Sequence, residues 1–121
     1  MSLKECYAAL GGDYEDVTHR LPSEKMVRKF VFKFLNDPSY ALLESSLEAK
    51  NYEEAFRAAH TIKGVCQNLS FSRLFASSNA LTEALRGGWT PEAEGLVQQV
   101  TADYQATVSA IRALQEEEGE G

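Results

Sequence analysis

Cysteine is scarce in this chain. Cys6 and Cys66 are its two cysteines, and they form no ligand-like pattern. That excludes a disulfide-stapled scaffold and a cysteine-based zinc site, and it fits a reducing, cytoplasmic setting. His60 and Cys66 lie six residues apart on one helical pattern, about 240° around the axis, so they cannot share a metal ion. No metal site and no bound cofactor of its own are expected. Proline occurs three times and glycine eight times, which leaves room for long helices. No apolar run approaches the roughly 20 residues that span a bilayer. The opening MSLKECYAAL lacks the apolar centre of a secretory signal. Basic residues are in the minority, with 12 Lys and Arg against 18 Asp and Glu and a net charge of −6, which argues against nucleic acid as a partner. No glycine-rich phosphate loop or dinucleotide fingerprint is present, so the chain is not expected to bind ATP or to phosphorylate itself.

What remains is a run of amphipathic helices. The length of 121 residues suits one domain with one core, and no repeat or linker divides it. Ser2 can cap a short helix over 3–10 that Gly11 and Gly12 end. A second short helix is expected over 13–21, closed by Pro22. Ser23 marks the start of a third, over about 24–35, whose apolar positions are Met26, Val27, Phe30, Val31, Phe34 and Leu35. Phe30, Phe34 and Tyr40 are assigned to the core. Asn36-Asp37-Pro38 is a stop followed by a start, and a helix to about Ala49 turns Leu42, Leu43 and Leu47 inward. After the Lys50-Asn51 reversal comes a long helix from Tyr52 to about Leu69. Another follows from Ser72 to Arg86, with Leu74, Ser78, Leu81 and Leu85 inward. Gly87-Gly88 ends it, and Thr90-Pro91 opens the last helix, which shows Ala93, Val97, Val100, Tyr104, Val108 and Ile111 at helical spacing. The sequence therefore predicts an all-α fold: an antiparallel up-down four-helix bundle over 37–115, with short N-terminal helices over 1–36 covering one end. The acidic tail over 116–121 is expected to fray.

The fifth segment, YEEAFRAAHTIKGVCQNLS, carries the chemistry. Ala55, Ala59, Ile62, Cys66 and Leu69 make an apolar stripe. Beside it run Phe56, Arg57, His60, Lys63, Gly64 and Gln67, stacked one above another because residues three and four apart share a helix face. An imidazole titrates near neutrality and is a good nucleophile when neutral. Lys63 sets a cation one turn away, where an oxyanion bound to the ring would sit. Arg57 either adds to that field or is a solvated charge. Glycine inside a helix costs about 1 kcal/mol relative to alanine. The apolar period runs straight through Gly64, so no turn explains it; open space beside the imidazole does. A nucleophile, a cation and a gap are what a phosphoryl acceptor requires. His19 is the internal contrast, since Pro22 breaks the helix at its +3 position.

The string AHTIKG, followed by VCQNLSFSRL, resembles the signature of histidine-containing phosphotransfer (HPt) domains, with lysine at +3 and glycine at +4 from the phosphorylated histidine. The likeness is close from Tyr52 to Leu85, and the rest agrees in length and helical pattern. One departure is Ser70, where the family often has a second glycine; serine there can act as an N-cap for the next helix. The resemblance implies that His60 accepts a phosphoryl group, that Lys63 stabilises the charge and that Gly64 gives steric access. Arg57, Gln67 and Thr82 are auxiliary candidates. Gln67 either bonds a phosphoryl oxygen or faces solvent. Members of the family often hold the imidazole Nδ1 with a polar side chain of the following helix. Thr82 sits at the usual offset, on the stripe Phe75, Asn79, Thr82 and Arg86, with Glu83 next to it.

The resemblance further implies partners. These are response-regulator receiver domains, a hybrid histidine kinase, or both, with Mg²⁺ held by the receiver. The chain is expected to act as a monomer. A different class of function is a helical adaptor that binds a receiver or kinase without carrying phosphate; a lost or buried nucleophile would mark it.

Overall fold

The computed structural model describes residues 1–120, with side chains described through Glu118. Among the described residues the chain forms seven α-helices: α1 (Leu3–Leu10), α2 (Tyr14–Arg20), α3 (Glu24–Phe34), α4 (Ser39–Glu48), α5 (Tyr52–Leu69), α6 (Ser72–Leu85) and α7 (Glu92–Glu120). Local polar residues set most of their starts. Ser2 and Glu5 make a reciprocal capping box on α1. Asp13, Ser23 and Asn51 each accept a hydrogen bond from the backbone N–H three residues on, at the heads of α2, α3 and α5. Gly11, at φ 78°, closes α1 in the left-handed conformation.

Helices α4 to α7 form the all-helical, antiparallel bundle. Successive helices pack side by side, and the Tyr40 ring of α4 stacks on Tyr104 of α7 at 3.9 Å to close the circuit. The Tyr40 hydroxyl donates to Thr101 Oγ1 at 3.0 Å. The core is lined by Ala55, Ala59, Ile62 and Cys66 of α5, Leu74, Leu81 and Leu85 of α6, and Val100 and Ile111 of α7. Each large aliphatic side chain buried this way contributes about 1.5–3 kcal/mol. The small residues Ala55, Ala58 and Ala59 are buried on α5, and α4 and α6 pack on its two flanks.

Helix α7 has 29 residues against 18 in α5, so at about 1.5 Å per residue it overhangs the bundle by roughly 16 Å. The N-terminal helices cover that overhang. Leu3, Cys6, Tyr7 and Leu10 of α1 are fully buried against it. Tyr7 donates its hydroxyl to the Leu69 carbonyl at 2.8 Å, and Asp13 N–H donates to the Ser70 carbonyl at 2.8 Å. These bonds tie the N-terminal segment to the end of α5.

Four expectations need correction. The last helix does not end at residue 115. It continues through Glu120, because the N-terminal ammonium pairs with Glu117 and Arg28 pairs with Glu118, so two of the acids are neutralised; residue 121 lies outside the described residues. Leu42 is 54 % exposed and Phe30 36 % exposed, so neither belongs to the core. Leu43 is the one large apolar side chain of α4 that is buried, with Ser39 beside it, because α5 covers one narrow side of that helix. Ser70 is not an N-cap. It ends α5 with φ 57° and ψ 39°, a conformation that costs a non-glycine residue about 1–2 kcal/mol. Its hydroxyl donates to Asp16 Oδ2 at 2.6 Å, and this bond helps hold the residue there.

Candidate functional site

His60 stands at the middle of α5, on the turn farthest from either end, and its side chain is exposed. The residues on the opposite face, Ala59 and Ile62 among them, are buried, so the backbone beneath the ring is held by the core. Lys63 and Gly64 follow one turn later and are half exposed, and Gln67 is exposed one turn beyond. A Cβ added at Gly64 would meet no atom within 4 Å. The space inferred from this glycine is therefore present, and it lies on the same face as the imidazole.

Arg57 lies on the far side of His60. Its guanidinium bonds Glu54 at 2.6 Å and Glu53 at 2.9 Å, both on its own helix and one turn nearer the N-terminus. Exposed pairs of this type contribute about 0.3–0.5 kcal/mol each. The side chain is thus drawn away from the imidazole. His19 is likewise engaged locally, with Nδ1 donating to the Glu15 carbonyl at 2.6 Å.

Thr82 is where the sequence reading fails. It is fully buried, and its hydroxyl donates to the Ser78 carbonyl at 2.7 Å, so it is turned into the core and does not reach the ring. The next residue, about 100° further round α6, takes the open position. Glu83 is exposed and lies on the side of α6 near Lys63 and His60. Its carboxyl is held below the ordinary carboxylate range, first by hydrogen bonds and charge from Arg86 and then by Lys63 and His60. Arg86 grips both Glu83 oxygens, at 2.9 and 3.2 Å, and its guanidinium carbon sits 5.2 Å over the Phe56 ring. Phe56 in turn lies near-parallel to the His60 imidazole, with centroids 6.2 Å apart and planes 19° apart. Phe56, one turn before His60 on α5, thus lies between the imidazole and the Glu83–Arg86 pair at the end of α6. The sequence offered one clue to them, the Glu83-x-x-Arg86 pair at helical spacing beside the expected stripe.

The chemistry such an arrangement allows is narrow. An exposed imidazole on a rigid helix can attack an electrophile that approaches over Gly64. The ammonium of Lys63 can pair with anionic oxygens, and the Glu83 carboxylate can stabilise positive charge that builds on the ring as a bond forms at its nitrogen. No helix of the described residues is long and apolar enough to cross a membrane.

A sequence model described as the Hpt domain matches residues 36–113, well over half of the chain. The chain belongs to the Hpt domain family, whose members are phosphocarrier modules that act with receiver domains or histidine kinases in two-component signalling. No curated protein and no solved structure matched it. The matched segment covers α4 to α6 and most of α7, while α1 to α3 lie before it.

Proposed function

We propose that this chain is a histidine phosphotransfer protein of a two-component phosphorelay, with His60 as the residue that carries the phosphoryl group. The observation that carries the reading is the uncovered imidazole of His60 beside the open Cβ position of Gly64. The Nε2 lone pair attacks the phosphorus of a receiver's aspartyl phosphate. The N–P bond forms as the P–O bond to the aspartyl carboxylate breaks, and that carboxylate leaves with the electron pair. Nδ1 keeps its proton, so positive charge grows on the ring. Glu83 balances that charge, and Lys63 pairs with the phosphoryl oxygens. Most of the catalysis in phosphoryl transfer is positioning and electrostatic stabilisation of this kind. Mg²⁺ is supplied by the receiver's acidic site, and the reverse step returns the group to an aspartate of another receiver. A histidine kinase is the other donor class.

On this reading the protein is a cytoplasmic monomer with no ATP-dependent kinase activity of its own. Glu83, clamped by Arg86, takes the orienting role that the sequence assigned to Thr82. Arg57 and Gln67 are left as outer contacts to the partner. The test is incubation with receiver domains charged by acetyl phosphate, followed by stability checks on any label acquired. Acid-labile, alkali-stable label on the wild type that is lost in His60→Gln supports the proposal. Binding of the receiver with no label supports a phosphate-free adaptor instead.

A further inference from the structure

An apolar groove lies beside the His60 face, where the segment before the Hpt match packs on α5. It has a volume of about 410 Å³ and is walled by Leu21, Phe30 and Phe34 on one side and by Val65 and Leu69 of α5 on the other. Leu21, Phe30 and Phe34 precede residue 36, where the family match begins, so one wall of the cleft lies outside the matched segment and the other within it. Asn68 also lines it, one turn beyond Gly64 on α5. Two turns of helix, about 11 Å, separate His60 from that point. A partner's share of a standard interface is roughly 800 Å², a patch about 30 Å across. A protein seated on His60 would therefore cover the groove as well.

The charge beside the cleft comes from α3. In the lining itself the charge of Lys33 is matched by Asp37, and Arg20 is paired with Asp16 at 2.9 Å. Along α3, exposed Lys25, Lys29 and Lys33 alternate with exposed Met26 and Phe30. Among the described residues no carboxylate pairs with those three lysines, whereas Arg28 is paired with Glu24 and Glu118. A concentration of uncompensated positive charge beside exposed apolar surface, in a chain of net charge −6, calls for an acidic occupant.

We propose that α3 and this groove form the partner-selecting half of the docking surface. The receiver that exchanges phosphoryl groups with His60 inserts a bulky apolar side chain between Phe30 and Val65, and its flanking carboxylates meet Lys29 and Lys33. This rests on the phosphocarrier reading above. A concave cleft suits a side chain of a protein; a bilayer surface requires a protruding apolar face, and the overall negative charge opposes an anionic leaflet.

The experiment uses the full chain as wild type, Phe30→Ala and the double variant Lys29→Glu/Lys33→Glu. Purified receiver domains charged with acetyl phosphate supply the phosphoryl group, and transfer is followed against concentration. Direct labelling of His60 by phosphoramidate, which needs no docking, runs in parallel, as does binding to phosphatidylglycerol-containing vesicles. Both variants should raise the half-saturating concentration about tenfold or more, with an unchanged rate at saturation and unchanged phosphoramidate labelling. Half-saturation at the wild-type value in the double variant, which disturbs only exposed side chains, overturns the proposal. So does a fall in the saturating rate alone, or loss of vesicle binding with transfer intact, which would reassign the face to lipid. Failure of the wild type to take label from both receivers and phosphoramidate would instead sink the phosphocarrier reading, and this inference with it.

Discussion

Replacing Gly64 should make the protein more stable and less active at once. A methyl group placed there meets nothing within 4 Å, so Gly64→Ala introduces no clash. Gly64 lies inside an 18-residue helix that is regular on both sides of it. The substitution therefore recovers the helix-propensity difference of about 1 kcal/mol, which in a domain of this size raises Tm by about 4 °C. Gly64→Leu should gain nearly as much, since leucine is almost as good a helix former and its side chain has room to extend. That room is the approach path to the imidazole. A misplacement of about 1 Å in a reacting pair can cost roughly a hundredfold in rate, and an isobutyl group beside the ring displaces a docked receiver by more than that. Thermal melts followed by circular dichroism, with single-turnover transfer from a phosphorylated receiver, measure both quantities on the same samples. Transfer at the wild-type rate by Gly64→Leu would refute the view that the space serves a partner. A melting point that falls in Gly64→Ala would refute the view that the glycine is tolerated only for function.

Other consequences are equally direct. Thr82→Val should leave the transfer rate within about twofold and cost about 1 kcal/mol through the lost hydroxyl bond to Ser78, whereas Glu83→Gln should slow transfer about tenfold or more; the reverse ranking in single-turnover assays would restore Thr82 to the ring. The Asp16 carboxyl is held below its ordinary range, first by the Ser70 hydroxyl and then by Arg20. Its folded-state pKa is thus lower than the unfolded one, so its stabilisation is present above the unfolded value and is lost as pH falls through the folded one. Denaturant melts of Asp16→Asn should accordingly show a shallower acid limb than the wild type. Burial pushes the Cys6 thiol up to about 11 and raises that of Cys66 further, so neither should react with a thiol reagent at neutral pH until denaturant is added; prompt labelling of the native protein would contradict the packing described for α1 and α5.

Local signals in the sequence carried far. Ser2 and Ser23, read as helix starts, act through bonds to their own next turn, so neighbours in the fold have little say in them; Asp13 and Asn51 cap in the same way, though the sequence reads there as helix and as reversal. The inward face of α5 was legible because four-three spacing picks one side of a cylinder. What failed depended on how elements sit against each other. Helix α3 shows apolar side chains over a wide arc, and only its packing on α5 and α7 decides that Val27 and Val31 go in while Met26 and Phe30 stay out. The rotation of α6 exchanges Thr82 for Glu83, and nothing within that helix announces a turn of one residue. In α7, Asp103 and Thr107 are buried although polar, because Gln99 satisfies the carboxylate and the Thr107 hydroxyl bonds its own helix; a reading by apolar period passes over both. The position of His60 on an exposed face was legible for the same reason as the core, since it lies opposite the stripe that the bundle buries.

The assignment of His60 is tested most directly by where the phosphoryl group resides after exchange with a charged receiver. Peptide mapping under alkaline conditions should find it on the His60-containing peptide of the wild type, and addition of fresh uncharged receiver should remove it. A phosphoryl group found elsewhere in the chain, or retained by His60→Gln, would contradict the account.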